Sequence, residues 1–411
     1  MSYTKADTKA AEEAEDRGEN LALMEPLLVS EGSGHRAHLN DLVVDLSGRS
    51  AGFRRSLPQG LIRALADLVR AMNCYYSNLI EGHDTHPVDI ERALKGDYSA
   101  DSRQRVLQLE AKAHIEVQKW IDEGGLFCRA TTVDGLCEVH RRFCELLPEE
   151  MLWIKHPQTG AQLPVIPGGL RKHDVRIGRH LPISPGALPR FLERFEKGYT
   201  QTGRTDRVLA AACGHHRLLW MHPFLDGNGR VARMMSHAIL LETLDTGGIW
   251  SVTRGLARHE SVYKQKLMAC DWQRRNDFDG RGHLSEEALA ELADFFFRVC
   301  LDQIDFMESL VQPDRLRQRL LMWSEEEIRI GNLPPKSERV LEVLLYRGEL
   351  PRGEIAGLLE VSARQARRIT SALIKRDIVT SASMRAPLRL ALPAGLAPRL
   401  MPGLFPERPS A

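Results

Sequence analysis

A histidine, an aspartate and two arginines lie close together near the middle of the chain, in the segment HPFLDGNGRVAR at residues 222–233. His222 is the side chain best suited to take a proton from a hydroxyl group near neutral pH. Arg230 and Arg233 are three residues apart, so on a helix both would lie on the first turn with their guanidinium groups near one anion. Two fixed cations favour a polyphosphate over a single carboxylate.

The residues around these groups predict a phosphate-binding turn. Pro223 should end the helix predicted over 205–221, because the residue before a proline avoids helical geometry. Gly227 and Gly229 then precede a new helix that starts at about residue 230, where free backbone N–H groups and the helix dipole attract phosphate. Asp226 beside such a site needs a cation, and Mg²⁺ bridging the phosphates would supply it.

The segment 222–233 resembles the signature of the Fic family, HPFx(D/E)GNGRxxR, at all nine specified positions. The resemblance extends over roughly residues 100–306 and implies a helical catalytic core that transfers AMP from ATP to a protein hydroxyl. Retention of Gly229 favours AMP transfer over phosphotransfer from a reversed nucleotide. The implied roles are His222 as general base, Asp226 as the Mg²⁺ ligand, Gly227, Asn228 and Gly229 at the α-phosphate, and Arg230 and Arg233 at the β- and γ-phosphates.

A second segment, SNLIEG at 77–82, is similar to the inhibitory motif of the same family, (S/T)xxxE(G/N), with Ser77, Glu81 and Gly82 at the specified positions. The segment ends a predicted helix over 60–79. Glu81 is expected to pair with Arg233 and so to occupy the arginine that should hold the γ-phosphate. Some relatives use this glutamate to remove AMP, and the sequence leaves that activity open.

A third segment, GGLRKHDVRIG at 168–178, resembles the family's flap, a β-hairpin beside the active site. An edge strand there would let a target segment add by backbone pairing and present its hydroxyl group. The surrounding residues 161–184 are the main hairpin candidate before the C-terminal region. Arg171, Val175 and Ile177 are the expected docking residues.

The composition is that of an ordinary globular protein. The 411 residues carry a net charge of only +1, so a strong affinity of the whole molecule for nucleic acid or anionic membrane is not indicated. Seven cysteines form no CxxC pair, which fits a reducing cytoplasm and argues against a zinc site. The N-terminus lacks an apolar signal core, and no apolar run reaches the length of a membrane span. A cytoplasmic protein without a membrane partner is expected.

Helical periodicity dominates, so the predicted fold is mainly α, with one hairpin and a C-terminal winged helix-turn-helix. Six segments are expected: a disordered tail (1–22), an N-terminal helical cap (23–99), the Fic catalytic core (100–310), a helical linker (311–335), the winged helix-turn-helix (336–393) and a proline-rich tail (394–411).

The segment 336–392 has eleven basic and six acidic residues, a local charge of +5. Helices are predicted over 337–346, 352–359 and 363–375, followed by two wing strands. Arg364, Arg367, Arg368 and Lys375 share the third helix, as contacts with DNA require. A winged helix can equally serve as a protein-docking or dimerising unit, so both uses stay open.

The leading prediction is therefore a transferase that uses ATP and Mg²⁺ to place AMP on a Ser, Thr or Tyr hydroxyl, either of another protein or of itself, under inhibition by Glu81. One alternative is a DNA-binding regulator whose Fic core senses a nucleotide. Another is a Fic enzyme that transfers or removes a different phosphate-linked group. DNA and a second copy of the chain, in a homodimer, are further partners left open.

Overall fold

In the computed structural model, the described residues are 15–155 and 160–406, and over these ranges the chain is mainly helical. The helices are α1 (Arg36–Arg55), α2 (Gln59–Ile80), α3 (Pro87–Leu94), α4 (Ser102–Asp122), α5 (Val133–Glu145), α6 (Leu188–Thr200), α7 (Arg204–Met221), α8 (Asn228–Leu244), α9 (Thr253–Arg258), α10 (Glu260–Ala269), α11 (Glu286–Val311), α12 (Pro313–Arg329), α13 (Ser337–Arg347), α14 (Ile355–Leu359), α15 (Ala363–Lys375) and α16 (Ala397–Leu400). The strands are β1 (Trp153–Lys155), β2 (Gln162–Pro164), β3 (Glu349–Leu350), β4 (Val379–Thr380) and β5 (Leu388–Leu390). The predicted mainly α fold is confirmed.

Helices α7 and α8 form the centre of the molecule, and both are buried along most of their length. Helices α4 and α5 pack against α8, while α6 and α11 pack against α7. Because helix packing fixes the ends of α7 and α8, it also fixes the turn at 222–227 that joins them. None of the described helices is both long and apolar enough to cross a membrane.

The end of helix α2 reaches α8 from outside this centre. Its apolar residues follow the helical period, and almost the whole helix is buried against α4, α9 and α13. The helix ends as its sequence predicts. Gly82 adopts φ +84°, and the N–H of His83 donates to the carbonyl of Asn78 at 2.8 Å. A glycine in the left-handed region is the common way to close a helix, and here it places Glu81 at the last turn.

The hairpin lies earlier in the chain than the sequence predicts. Strands β1 and β2 pair antiparallel within 153–164. Residues 165–184 follow an irregular path with one isolated bridge between Ile177 and His180. The prediction of a hairpin across 161–184 is therefore wrong. Three prolines in that segment cannot donate hydrogen bonds to a β-ladder. The carbonyl groups of His173 and Ile183 accept hydrogen bonds from the side chain of the buried Arg171 instead.

Both predicted tails are packed where they are described. At the N-terminal end, Ser184 receives a hydrogen bond from the N–H of Arg17 and donates from its own N–H to Glu19. At the C-terminal end, Leu404 is fully buried and Phe405 is 8% exposed. The predicted disorder over 15–22 and irregularity over 394–406 are wrong, because tertiary contacts bury these segments; residues 1–14 and 407–411 lie outside the described ranges.

The C-terminal elements run in the order α13, β3, α14, α15, β4, β5, and the three strands form an antiparallel sheet with β5 in the middle. The sequence predicts the helices and the last two strands, and β3 is additional. Helix α15 begins with a capping box in which Ser362 and Gln365 satisfy each other's backbone N–H groups. Assignment of this unit as a winged helix-turn-helix stays a prediction.

Candidate active site

His222 lies directly after the last residue of α7. Its backbone is left-handed, with φ 49° and ψ 62°, and its N–H still donates to the carbonyl of Leu218 at 3.0 Å. A non-glycine residue rarely adopts this conformation, and its cost must be offset by surrounding contacts. Because His222 precedes Pro223, the helix cannot continue, and the chain turns toward α8.

Asn228 shapes the turn itself. Its side-chain oxygen accepts from the N–H of Phe224 at 3.0 Å, and its side-chain nitrogen donates to the carbonyl of Phe224 at 2.8 Å. Asn228 is 2% exposed, so its amide is used inside the protein. In the structure this side chain holds the turn, and its contact with an α-phosphate, which the family resemblance implies, stays a prediction.

Gly227 and Gly229 flank the start of α8. Gly227 is left-handed at φ +80°, and His140 lies against it. At Gly229 a Cβ atom would collide with the carboxylate of Glu81. A negatively charged oxygen therefore already lies over the N-terminal turn of α8, where free N–H groups and the helix dipole favour an anion.

The predicted ion pair between Glu81 and Arg233 is present, with a short contact between the carboxylate and Nη2. Arg233 also donates from Nε to the hydroxyl of Ser77 at 2.8 Å, and it is 3% exposed. Desolvation raises the pKa of the Glu81 carboxyl, but the charge and hydrogen bond of Arg233, together with Arg230 and His83, outweigh it and lower the pKa overall. Glu81 is therefore ionised at neutral pH.

Arg230 is held by two carboxylates. It contacts Glu110 through Nη1 and Asp226 through Nη2, the latter at 3.0 Å. Glu110 is 2% exposed, and its other oxygen lies 2.8 Å from Nδ1 of His83. The sequence gives no motif for Glu110, although an acidic residue on the buried face of a helix is a signal that it needs a partner. The Nε of Arg230 is buried and has no hydrogen-bond partner within the described chain.

Asp226 has the properties expected of a Mg²⁺ ligand. Its side chain is 57% exposed, and partial desolvation and the negative charge of Glu81 raise its pKa. No cluster of three potential ligands occurs among the described residues. Mg²⁺ usually takes one or two carboxylates and completes its shell with water and substrate phosphates, so one exposed carboxylate beside an anion site fits it.

His222 is in the state that a general base requires. Desolvation, and then the charge of Arg171, lower the pKa of His222 to about 4, so the ring is neutral at physiological pH. The backbone of Leu219 acts in the opposite direction and raises the pKa. One ring nitrogen then carries the hydrogen, and the other is left with a free lone pair.

The three predicted docking residues do not share one environment. Arg171 is 3% exposed and points into the protein, so its predicted role in binding a target strand is wrong; its side chain bonds carbonyl groups of this chain. Val175 is half-buried and Ile177 is 42% exposed. The segment that contains Val175 and Ile177 remains the predicted docking site.

The four cations predicted to contact DNA lie on the outward face of α15. Arg364, Arg367, Arg368 and Lys375 are all exposed, whereas Ala366, Ile369, Thr370 and Leu373 bury the other face of the helix. The side chains of the four cations form no ion pair or hydrogen bond with any other described residue. Other arginines of the C-terminal unit are paired, such as Arg376 with Glu327 and Arg389 with Glu349.

Comparison with known proteins agrees with this geometry. Residues 130–240 match the model of the Fic/DOC family. "Protein adenylyltransferase Fic" of Drosophila erecta is 26% identical over 223 residues, which cover 52% of this chain and 42% of that protein. The protein of the same name from Drosophila yakuba is 30% identical over 184 residues, covering 44% of this chain and 34% of that protein.

The chain thus spans less than half the length of the curated relatives it matches. The crystal structure of a Fic family protein from Desulfovibrio desulfuricans G20 has the same fold, with a TM-score of 0.51 at 14% identity over 89% of this chain and 98% of that chain. The signature at 222–233 falls inside the matched region, and the fold of the neighbour extends over most of the chain. Residues 130–240 of the chain form a domain of the Fic/DOC family.

Proposed function

We propose that this protein transfers AMP from ATP to a Ser, Thr or Tyr hydroxyl of a protein, with Mg²⁺, and that Glu81 holds it inactive. The observation that supports this most directly is the position of Glu81. Its carboxylate contacts Arg233 and lies over Gly229, at the turn built to bind an anion. A carboxylate held in a phosphate site by a buried arginine is an inhibitor built into the chain.

The residues of the cleft divide the transfer between them. His222 accepts the proton of the target hydroxyl as its oxygen forms a bond to the α-phosphorus and pyrophosphate leaves. The N–H groups at the start of α8 hold phosphate oxygens, and Arg230 and Arg233 meet the charge of the outer phosphates. Asp226 would hold Mg²⁺, which would neutralise phosphate charge when bound.

Inhibition follows from competition for Arg233. The γ-phosphate needs the arginine that Glu81 occupies, and two anions cannot share that site without strong repulsion. ATP must therefore bind in another position, with the α-phosphorus out of line with the incoming oxygen. A misplacement of about 1 Å can cost roughly 100-fold in rate. Loss of the carboxylate should restore the productive position.

The test is transfer of label from α-labelled ATP, followed by intact mass, with Mg²⁺ and with or without a cell lysate. We expect label with Glu81→Gly and with Glu81→Gln, which keeps the size but removes the charge, and little with the wild type. Addition of His222→Ala to Glu81→Gly should abolish it. Equal labelling by wild type and Glu81→Gly would contradict the inhibition.

Three results would favour other activities. Absence of label from every variant, despite ATP binding, would indicate a nucleotide sensor. Labelling from another nucleoside triphosphate in preference to ATP would indicate a Fic enzyme that transfers a different group. Release of AMP from a labelled target by the wild type, and not by Glu81→Gly, would show that Glu81 also supports removal.

The seven cysteines support a cytoplasmic setting for this reaction. All are free thiols, and five are buried. Burial raises the pKa of the Cys74 thiol, as it does those of Cys144 and Cys270, both to about 12. The buried cysteines are therefore inert packing residues that need no oxidising environment.

A second function, binding of duplex DNA, is favoured by the unpaired cations of α15. Arg364, Arg367, Arg368 and Lys375 follow a helical spacing that places them in one stripe. Long cationic side chains without partners, on the exposed face of a helix, fit the phosphates and groove of DNA. Several other arginines of the unit are paired, among them Arg347 with Glu354 and Arg389 with Glu349.

The DNA hypothesis is tested by fluorescence anisotropy with a labelled 30-base-pair duplex across a salt series. Affinity should fall steeply with salt, and the slope should decrease in Arg364→Gln/Arg368→Gln, because each lost phosphate contact lowers it by about 0.9. Arg347→Gln, which alters a paired arginine of the same unit, is the matched control. No binding at low salt would leave the unit as a protein-docking element.

A further inference from the structure

Arg171 is buried at 3% exposure within an otherwise exposed segment, and its guanidinium group spans two parts of the active site. Nε donates to the carbonyl of His222 at 2.7 Å, and Nη2 lies 3.4 Å from the carbonyl of Met221. On the other side, Nη1 and Nη2 donate to the carbonyls of His173 and Ile183 at 3.0 and 2.5 Å.

These bonds provide hydrogen-bond donors for carbonyl groups at the end of α7 that have no partner within the helix. The last carbonyl groups of a helix have no partner in the helix, and the left-handed backbone of His222 needs support from outside. Arg171 satisfies the carbonyl of His222 through its side chain, and its own N–H donates to the carbonyl of Pro223 at 2.9 Å. One residue therefore fixes the backbone on both sides of the His222–Pro223 bond.

We infer that Arg171 is the positioning residue for His222, and that it couples the orientation of this base to the segment 173–183. This inference rests on the proposed function. The segment includes Val175 and Ile177, where a target strand is expected to dock. A target that orders this segment would also order the arginine, and through it the base. The planar guanidinium fork suits this role, because its donors point in several fixed directions at once.

The charge of Arg171 contributes as well. The ionisable groups that face His222 are Arg171, His180 and Glu81; the first two lower its pKa and Glu81 raises it. Lysine at position 171 would keep the charge but lose the fork, and methionine would lose both. The two substitutions therefore separate geometry from electrostatics.

The test uses Arg171→Lys and Arg171→Met in the Glu81→Gly background. Both should lower kcat by roughly 100-fold, with little change in KM for ATP, because the base is misplaced while the phosphate site is intact. Arg171→Met should also move the acid limb of the pH profile to higher pH, whereas Arg171→Lys should leave it in place. Arg329→Met, at an exposed arginine of α12 outside the docking segment, is the control and should change neither quantity.

An unchanged kcat in both Arg171 variants, or a loss confined to KM, would overturn the inference. If Glu81→Gly itself transfers no AMP, the proposed function fails first, and NMR titration of His222 still tests the role of Arg171. A rise in the pKa of His222 in Arg171→Met, absent from Arg329→Met, would support it, and an unchanged titration would overturn it.

A separate observation concerns the C-terminal residues 401–406. The hydroxyl of Tyr76 donates to the carbonyl of Leu404 at 3.0 Å, and the ring of Phe405 packs edge-on against Tyr75 at 5.9 Å between centroids. Gly403 accepts from Nη2 of Arg254 at 3.1 Å. The segment is thus bonded to the last turns of α2, directly before Ser77 and the inhibitory glutamate.

We propose that residues 401–406 clamp the end of α2 and thereby keep Glu81 on Arg233. Tyr76 is adjacent to Ser77, the residue that bonds Arg233 through both its hydroxyl and its carbonyl. The residues that lead into this segment are anchored to the helix that follows α2, because Ala394 and Gly395 donate to Glu91 of α3. Release of residues 401–406 would therefore free the end of α2 and the inhibitory glutamate. This regulation likewise rests on the proposed function.

The variant Leu404→Ala/Phe405→Ala of the whole chain should raise AMP transfer by at least roughly tenfold, toward the level of Glu81→Gly. The reason is that the clamp affects transfer only by keeping Glu81 on Arg233, where Glu81 misaligns ATP. It should add nothing when combined with Glu81→Gly. Tyr76→Phe, which removes one hydrogen bond and keeps the ring, should give a smaller rise. Arg399→Ala, which removes a surface ion pair with Glu326 in the same region, is the control.

The proposal is overturned if the double variant stays as inactive as the wild type while Glu81→Gly transfers AMP. Hydrogen exchange supplies a readout without activity. Faster exchange at 77–82 in Leu404→Ala/Phe405→Ala, and not in Arg399→Ala, is expected, and unchanged exchange in a folded variant would count against the clamp.

Discussion

Each of the two arginines in the cleft forms an ion pair with a glutamate. Glu81 contacts Arg233 at the end of α2, and Glu110 contacts Arg230 from within α4. The two pairs differ in exposure, since the side chain of Glu81 is 34% exposed and that of Glu110 is 3% exposed. An exposed partner can leave its arginine at a modest cost, whereas a buried one cannot. Glu81 is therefore suited to a switch, and Glu110 to a fixed support.

Replacement of Glu110 should test that difference. Glu110→Ala should destabilise the fold by about 3 kcal/mol, because it leaves the buried charge of Arg230 with only the exposed Asp226 as partner. Glu110→Gln, which keeps an acceptor, should cost less. The measurement is the free energy of unfolding in urea, with the exposed Glu116→Ala on the same helix as control. If Glu110→Ala lowers the free energy of unfolding by no more than about 0.5 kcal/mol beyond Glu116→Ala, the pair of Glu110 with Arg230 does not support the fold.

At the scale of secondary-structure elements, α2 connects three parts of the molecule. Its first turn touches the C-terminal unit, its last turns touch residues 401–406, and its end holds Glu81 against α8. The first contact is unusually close, since a Cβ atom on Gly60 would lie 1.9 Å from the Cα of Gly348. Only glycine at both positions permits this approach of two backbones.

Substitution at Gly60 should show how much this contact matters. Gly60→Ala should destabilise the protein by about 3 kcal/mol, because the added methyl group meets backbone atoms that cannot rotate away. Gly52→Ala in α1 has nothing within 4 Å of the new Cβ atom, and it should be neutral or stabilise by about 0.5–1 kcal/mol. Thermal unfolding of the two variants measures the contrast, and similar shifts in both would refute the close contact.

Across the whole molecule, five buried histidines are held in the neutral form, chiefly by desolvation. Their pKa values are lowered to about 3 for His114 and His215 and to about 4 for His140, His216 and His222. The unfolded chain binds protons at these residues from the usual value of 6.5 downward, while the folded chain does not. Folding stability is therefore fully present above pH 6.5 and decreases as the pH falls toward 4.

The melting temperature should accordingly fall steeply between pH 6.5 and 4, with each histidine contributing up to roughly 1.4 kcal/mol per pH unit. Calorimetry across this range measures the slope. His114→Leu should reduce it, because the Nδ1 of His114 is buried without a partner in the described chain. His35→Gln, at an exposed position, should not. A slope that His114→Leu leaves unchanged would exclude His114 as a contributor.

The sequence by itself determined the helices and the turn at 222–229. These features are local in origin: apolar periodicity sets α2, α7 and α8, Pro223 ends α7, and Gly82 ends α2. The pairing of Glu81 with Arg233 joins residues 152 positions apart, and it was predictable only because both segments resemble motifs of the Fic family. The mainly helical fold follows from the same periodicity.

Only the tertiary structure decided what depends on contacts between distant segments. Arg171 lies in a polar segment whose sequence suggests exposure to solvent. Its side chain is nevertheless buried, because it bonds the carbonyl groups at the end of α7. Glu110 supports the site because it pairs with Arg230, which lies 120 positions away in the sequence. Leu404 and Phe405 look like part of a proline-rich tail, but the apolar face of α2 buries them. Such burial is a property of the surface that a segment meets, and the segment's own residues do not specify it.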